Sequence, residues 1–339
     1  MIVRKINQND DDSWSQIRKN LPTAHLLHSQ SFTNHYFDDN QTNSSLWGAF
    51  HDSTLAGIIG IEEIDFTTGE AQIRISAGTN FFSFRPGAGV ILYQHWVKQT
   101  GWTLTFGGSK DFHNFITNAP NAFRVDIPHF VANRWHNTDD SLGIRNIAKR
   151  ASNLIRPHSI SVSKRICSYM QEHGWSTSTV MPVSRFQTPI QWDEPFSGLR
   201  HDAGIDYLNW RYGKAPNSYR LFEVRDNSKL LGNIVLSESS TRIIVAFSQA
   251  STSRDALYSS LRAIQEITNK PDSRKEVYLA CCNHDFQQVL SQIGFSPTNY
   301  KRPLVILGAS QTIKLPEQLD DWHIDFDIGD NGFRYLFRH

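Results

Sequence analysis

The sequence predicts an α/β protein built as two successive domains of similar plan. Three observations predict it. The chain has 339 residues, more than one small domain needs. Hydrophobic residues make up 39% and aromatics 12%, enough to bury a core in each half. The order hairpin, strand, helix, strand, helix, strand occurs twice, with little identity between the copies. The expected boundaries are 1–140 and 161–310, a linker helix over 141–160, and a tail over 311–339.

Residues 13–38 are expected to be helical with a loop. Leu46–Phe50 and Leu55–Ile64 then form a hairpin around the polar turn His51-Asp52-Ser53-Thr54. EAQIRISAGTNFFSF, residues 70–84, is a strand with Ile73, Ile75 and Ala77 on one face. A helix from Gly89 to Gln99 follows, with Val90, Leu92, Tyr93, Trp96 and Val97 as its apolar stripe and Gly101 past its end. WTLTFGG is a strand and Lys110–Asn118 a helix. The basic segment 134–165 is the linker, with a short amphipathic helix over Ile144–Ile155 packed across both domains. The second copy begins with SYRLFEVRDNSKLLGNIVLSE, a hairpin turning at Asp226-Asn227-Ser228. TRIIVAFSQA is a strand, and SRDALYSSLRAIQEITNK is an amphipathic helix stopped before Pro271. EVYLACCN, DFQQVLSQIGF and KRPLVILG complete the copy as strand, helix and last strand.

Charge bounds the partners. With 34 basic and 33 acidic residues the net charge is +1, so no strong field holds a nucleic acid or a membrane surface. No apolar run approaches the ~20 residues of a membrane span. Cys167, Cys281 and Cys282 are too few and too poorly placed for a disulfide framework; they read as reduced thiols of a cytoplasmic protein. The polar, acidic start MIVRKINQNDDDSW lacks the apolar core of a secretion signal. The 14 histidines show no metal-ligand spacing, and no metal is expected.

The stretch Phe84-Arg85-Pro86-Gly87-Ala88-Gly89 carries the functional signal. It joins a strand to a helix, and the first amides of a helix have no partner within it and carry the positive end of its dipole. A phosphate satisfies both needs. The amides of Gly87, Ala88, Gly89 and Val90 are the expected cradle, and Arg85 the expected charge-assisted contact. The third position of a Rossmann fingerprint is Leu92 here, and no Gly-Lys-Ser/Thr follows, so neither a dinucleotide fold nor a P-loop is indicated.

With this turn in it, the order of elements resembles the GNAT superfamily of N-acetyltransferases. The turn resembles that family's Gln/Arg-x-x-Gly-x-Gly/Ala, which holds the diphosphate of coenzyme A. Gly87 and Gly89 match the small positions; Phe84 stands where Gln or Arg usually stands, and Arg85 is one place late. In the second half DYLNWRYGKAPNSYRLFEV, LLGNIVL and the tail DDWHIDFDIGDNG are similar to motifs of bacterial GNAT-like proteins associated with surface polysaccharides. TAHLLHSQSFTNHY is similar to the Fem-type aminoacyl transferases, which are tandem GNAT folds. The resemblance implies two GNAT-like domains, each a mixed, mostly antiparallel sheet flanked by helices. It implies acetyl-CoA or another acyl-CoA as co-substrate in the first domain. The implied acceptor is a small amine, in the narrower form an amino sugar of a surface glycan. The alternatives are an aminoacyl-tRNA-dependent transferase of Fem type and a non-catalytic binding protein.

The second half has no glycine after its strand TRIIVAFSQA; Ser251 and Ser253 are the expected helix caps, so that half is not expected to hold coenzyme A. For a base, the family's strand position falls near Gln72, which selects Glu70 on the same strand face, with Glu63 next. The family's proton-donating Tyr falls near Phe115, which cannot donate. Arg211 needs a carboxylate or phosphate partner and is, with Asp206 five residues earlier, the expected acceptor contact.

Overall fold

The computed structural model of the protein describes residues 1–23, 25–28, 36–37, 44–69, 71–99, 101–106, 110–119, 122–132, 162–175, 178–194, 198–213, 219–269, 275–298, 302–308, 315 and 318–325. The expected linker helix and most of the tail lie outside these residues.

Two open sheets organise the molecule. The first contains β1 (Ile2–Lys5), β2 (Ser44–His51), β3 (Thr54–Thr68), β4 (Ala71–Ser83), β5 (Trp102–Phe106) and β6 (Ala122–Ile127). The second contains β7 (His129–Ala132), β8 (Thr179–Val183), β10 (Tyr219–Asp226), β11 (Lys229–Glu238), β12 (Arg242–Ala250), β13 (Glu276–Ala280) and β14 (Ser296–Pro297). Short β9 (Leu199–His201) pairs with the end of β3, and β15 (Arg302–Gly308) completes the first sheet. The first sheet runs β1-β2-β3-β4-β5-β15-β6 and the second β14-β7-β13-β12-β11-β10-β8.

The halves therefore exchange strands, which the boundaries 1–140 and 161–310 did not anticipate. KRPLVILG supplies β15, expected in the second domain, and it lies between β5 and β6 of the first sheet. β7, from the first half of the chain, lies between β13 and β14 of the second. Pro128 explains the crossing. It separates β6 from β7 by one residue, cannot donate to a ladder, and its carbonyl accepts from Cys281 N at 3.1 Å. Periodicity marks a strand but does not say which sheet it joins.

Seven helices are described: α1 (Asp11–Asn20), α2 (Ala88–Gln99), α3 (Lys110–Thr117), α4 (Val162–Glu172), α5 (Ile205–Gly213), α6 (Ser253–Thr268) and α7 (His284–Gln292). Asp10 caps α1 by accepting from Ser13 N, and Asn283 caps α7 by accepting from Phe286 N. The α6 cap is Thr252, between the two serines expected there; its Oγ1 accepts from Asp255 N at 3.0 Å. α2 buries Ala88, Leu92 and Trp96, a strict four-residue repeat. Val90, expected on that stripe, is 46% exposed.

One hydrophobic core is common to both halves. It joins Trp14, Ile17 and Ile58 of the first half to Tyr207, Trp210, Leu221, Val235 and Phe247 of the second. Each such side chain contributes about 1.5–3 kcal/mol when fully buried. α2 covers the other face of the first sheet, and α4 and α6 cover the outer face of the second.

Candidate functional site

Among the described residues two strand pairs are parallel, one in each sheet. β4 pairs with β5 only at Ser76–Thr103 and Ala77–Leu104, and then runs on to Ser83 paired with β3 but not with β5. The two strands diverge, and the glycine turn stands at the free end of β4. Phe84 N and Arg85 N both donate to Ala56 O, at 2.8 and 3.0 Å, which fixes the turn to β3. Half-buried Phe84 packs against the shared core and stacks on Phe82. At this position it anchors the turn from below. Gly87 takes φ +82°, a left-handed conformation that favours glycine, and a Cβ there would meet nothing within 4 Å.

The four expected amides divide into two kinds. Ala88 N donates to Arg85 O at 3.2 Å. Gly89 N donates to Ser83 Oγ at 3.2 Å, and that hydroxyl donates to Arg85 O at 2.8 Å. The amides of Gly87 and Val90 have no hydrogen bond to any described residue. So the helix start keeps two open donors, plus a third held by a hydroxyl that a stronger acceptor can replace. Arg85 is exposed at the rim.

Along β4 the ladder to β3 slips between Ile58 and Gly60, where two β4 residues, Asn80 and Phe81, stand against Ile59. Asn80 has φ +45°. Such a bulge turns backbone groups out of the ladder and concentrates near functional sites. Asn80 Nδ2 donates to Tyr36 OH at 2.6 Å, and Tyr36 OH lies 2.8 Å from Thr79 Oγ1. An aromatic wall lines the divergence on the α2 side. Phe81 meets Phe112, and Tyr93 meets Phe115, each at 5.0 Å between ring centres. Phe115 is 48% exposed.

The candidate bases fare differently. Glu70 lies outside the described residues. Glu63 stands in register with Ser76, whose Oγ donates to Glu63 Oε1 at 2.9 Å, and Trp96 Nε1 donates to Ser76 Oγ at 3.3 Å. Glu63, Ser76 and Thr103 thus form one polar row across β3, β4 and β5, where the parallel pairing begins. Trp96 can approach the row because the next β4 residue on that face is Gly78; a Cβ there would sit 2.8 Å from the indole.

Arg211 finds the fixed partner that its charge requires, and that partner is internal. Its guanidinium donates to both oxygens of Glu62 on β3, and Tyr207 OH donates to Glu62 Oε1 at 2.6 Å. Arg211 and Glu62 are each 1% exposed, so neither presents a face to solvent. Asp206 is exposed on the first turn of α5 and does not share this cluster. His201, stacked on Phe66, is pushed down to about 3 by burial and then by Arg211. Tyr207 is pushed well up by burial and by Glu62. The cluster ties the two halves together. Its sequence signal was Glu62, a charged residue on the strand that buries Ile58, Ile64 and Phe66.

The second parallel pair repeats the geometry. β12 pairs with β13 from Arg242–Glu276 to Ile244–Tyr278 and runs on to Ala250, with α6 starting just beyond. Here protein groups occupy the donors. Ser253 N donates to Glu194 Oε2 at 3.1 Å, and Ser248 N to Asp325 Oδ1 at 2.8 Å. A cleft of about 340 Å³ remains between β12, α6 and residues 320–325. Among the described residues no three His, Cys, Asp or Glu side chains come together to hold a metal ion.

No protein-family model matches the chain, and no curated protein matches its sequence. Solved structures do match its shape. A GCN5-related N-acetyltransferase from Anabaena variabilis covers 90% of this chain and 72% of its own at TM-score 0.55 and 10% identity. A tandem GNAT protein from the clavulanic acid biosynthesis pathway, solved without AcCoA, covers 92% of this chain and 99% of its own at TM-score 0.51 and 13% identity. The fold is a tandem GNAT fold. At these identities the likeness concerns the fold alone. Of the two diverging parallel pairs, only the first ends in a glycine turn.

Proposed function

We propose that the protein is an acyl-CoA-dependent N-acyltransferase, acetyl-CoA being the simplest donor, with a small amine as acceptor. The observation that carries this reading is the open helix start at the β4–β5 divergence. The amides of Gly87 and Val90 have no partner among the described residues, Gly87 leaves room above them, and Arg85 stands at the rim. These residues, with Ala88 and Gly89, would hold the diphosphate, and the coenzyme supplies an activated thioester. Phe84 contributes by packing.

The acceptor nitrogen must be neutral to attack. Glu63 is supported as base by its place in the polar row at the start of the divergence, with Ser76 fixing its carboxylate. Glu70 remains the second candidate. The N–C bond forms as the C–S bond breaks, the amine proton passes to the carboxylate, and the leaving thiolate is protonated by water, since Phe115 offers no proton. Placement of the two reactants supplies much of the rate. In the narrower form of this reading the acceptor is an amino sugar of a surface glycan and the protein is cytoplasmic. No described helix is long and apolar enough to cross a membrane.

Calorimetric titration of acetyl-CoA tests the reading. Wild type should bind in the micromolar range, and Gly89→Trp should lose binding while keeping its melting temperature within a few degrees. The Gly89 Cβ points toward Ser83 and Phe81, at 3.4 and 3.9 Å, so an indole there fills the mouth. A folded wild type that binds no acyl-CoA would turn the reading toward Fem-type aminoacyl transfer, which retention of charged transfer RNA would show.

A further inference from the structure

The cleft in the second half is a site without an assigned ligand. Its volume of about 340 Å³ matches a small organic molecule. It lies where two parallel strands part, against Val245 and Ser248 of β12 and at the carboxyl end of β13, the kind of place where open α/β sheets bind ligands.

Its charge selects the ligand. Among the described residues, Glu194, Asp320, Asp321 and Asp325 line it together with one permanent cation, Arg254. The Arg254 guanidinium lies over the Trp175 ring at 4.9 Å, stacked on a residue outside the cleft lining. His323 adds no charge at neutral pH, because burial pushes it down to about 4. The Cys281 and Cys282 thiols are held protonated by burial. A concave site of one sign, with low-dielectric walls, concentrates the opposite charge. The same carboxylates reject a diphosphate, and Glu194 already takes the Ser253 amide that a phosphate would need. Leu257 and Phe286 supply an apolar wall for a carbon skeleton.

We propose that this cleft binds a small organic ammonium: a primary amine on a compact carbon skeleton. The volume admits such a molecule and the lining carboxylates select its charge, and the proposal does not depend on coenzyme A binding in the first half. Ethanolamine, 1,4-diaminobutane and glucosamine, each paired with its neutral hydroxyl analogue, are titrated at low salt into wild type. The same is done for the double variant Glu194→Gln, Asp321→Asn, and for Asp52→Asn, an exposed carboxylate of the β2–β3 turn. Gln at 194 keeps an oxygen for Ser253 N, and Asp321 is exposed, so the variant should fold; its melting temperature and circular dichroism check this. At least one ammonium should bind while its neutral analogue does not. Affinity should fall roughly tenfold or more in the double variant and stay unchanged in Asp52→Asn. Equal binding of neutral analogues, no binding of any ammonium, unchanged affinity in a folded double variant, or displacement by coenzyme A would each overturn the proposal.

Discussion

β4 leaves β5 after Ala77 and ends in a glycine turn, whereas β12 leaves β13 after Ile244 and ends in Ser251-Thr252. Both divergences face a helix start. At the first, two amides are open and a third is held by a serine hydroxyl. At the second, a threonine hydroxyl and the carboxylate of Glu194 take the helix amides, while Asp325 takes the strand amide of Ser248. The same backbone geometry therefore presents open amides beside Arg85 in one half and amides taken by carboxylates in the other. The fold supplies the opening; a few side chains at its rim set which groups it offers.

The comparison holds only if the halves are one unit, and this gives the largest predicted effect. Arg211→Ala leaves Glu62 buried with its charge uncompensated, which should destabilise the protein by about 3–5 kcal/mol. Replacing both partners, Glu62→Leu with Arg211→Met, should recover most of that loss. Urea unfolding checks it. Because the halves exchange β7 and β15 and share one core, each variant should show a single transition. Two separated transitions would mean that the two mouths belong to independent modules.

Much of this was legible in the sequence, for identifiable reasons. Alternation and glycine punctuation showed most strands and helices, because those signals are local. The partner sheet of KRPLVILG was not legible, since pairing across some 200 residues leaves no trace in the strand's own pattern. The glycine turn is legible as a turn, because its signal is local. That Ser83 closes one of its amides is not, because the contact spans six residues and depends on a bulged strand. The sequence shows that Arg211 needs an anion, but a guanidinium fits a substrate or Glu62 equally well on sequence grounds. The negative cleft was not visible at all, since its carboxylates come from residues 194, 320, 321 and 325 and meet only in the fold.

A second prediction uses acid to separate the shared joint from the second cleft. His201 and His323 stay neutral in the folded protein, down to about 3 and about 4, whereas an unfolded histidine protonates near 6.5. Below about 6.5 the unfolded chain takes up protons that the folded chain refuses, so stability is full above that pH and falls as pH drops. Each histidine should contribute a slope approaching about 1.4 kcal/mol per pH unit between roughly 6 and 4.5, before most carboxylates titrate. For His201 the opposing groups are Arg211 and His323, against Glu62 and Asp65. Melting curves across this range should show the fall. His323→Gln should remove part of the slope and leave the share of His201 in place. An unchanged slope in that variant would mean that the cleft takes no part in the acid response.

The smallest predicted effect tests the contrast at the two helix starts directly. Thr252→Ala removes a cap whose donor has no ligand to turn to, and should cost about 1 kcal/mol. Ser83→Ala removes the hydroxyl that holds Gly89 N at the rim of the glycine turn. Water reaches that amide, so the loss should be smaller, about 0.5 kcal/mol. The variants should differ more in ligand response than in stability. Freed of its serine, Gly89 N becomes a third open donor, so Ser83→Ala should keep or slightly raise its affinity for acetyl-CoA. Thr252→Ala should not change that affinity. Thermal melts with and without acetyl-CoA measure both quantities together. If Ser83→Ala instead abolished the ligand-induced rise in melting temperature, the hydroxyl would be part of the cradle, and the first mouth would need its side-chain cap as much as the second does.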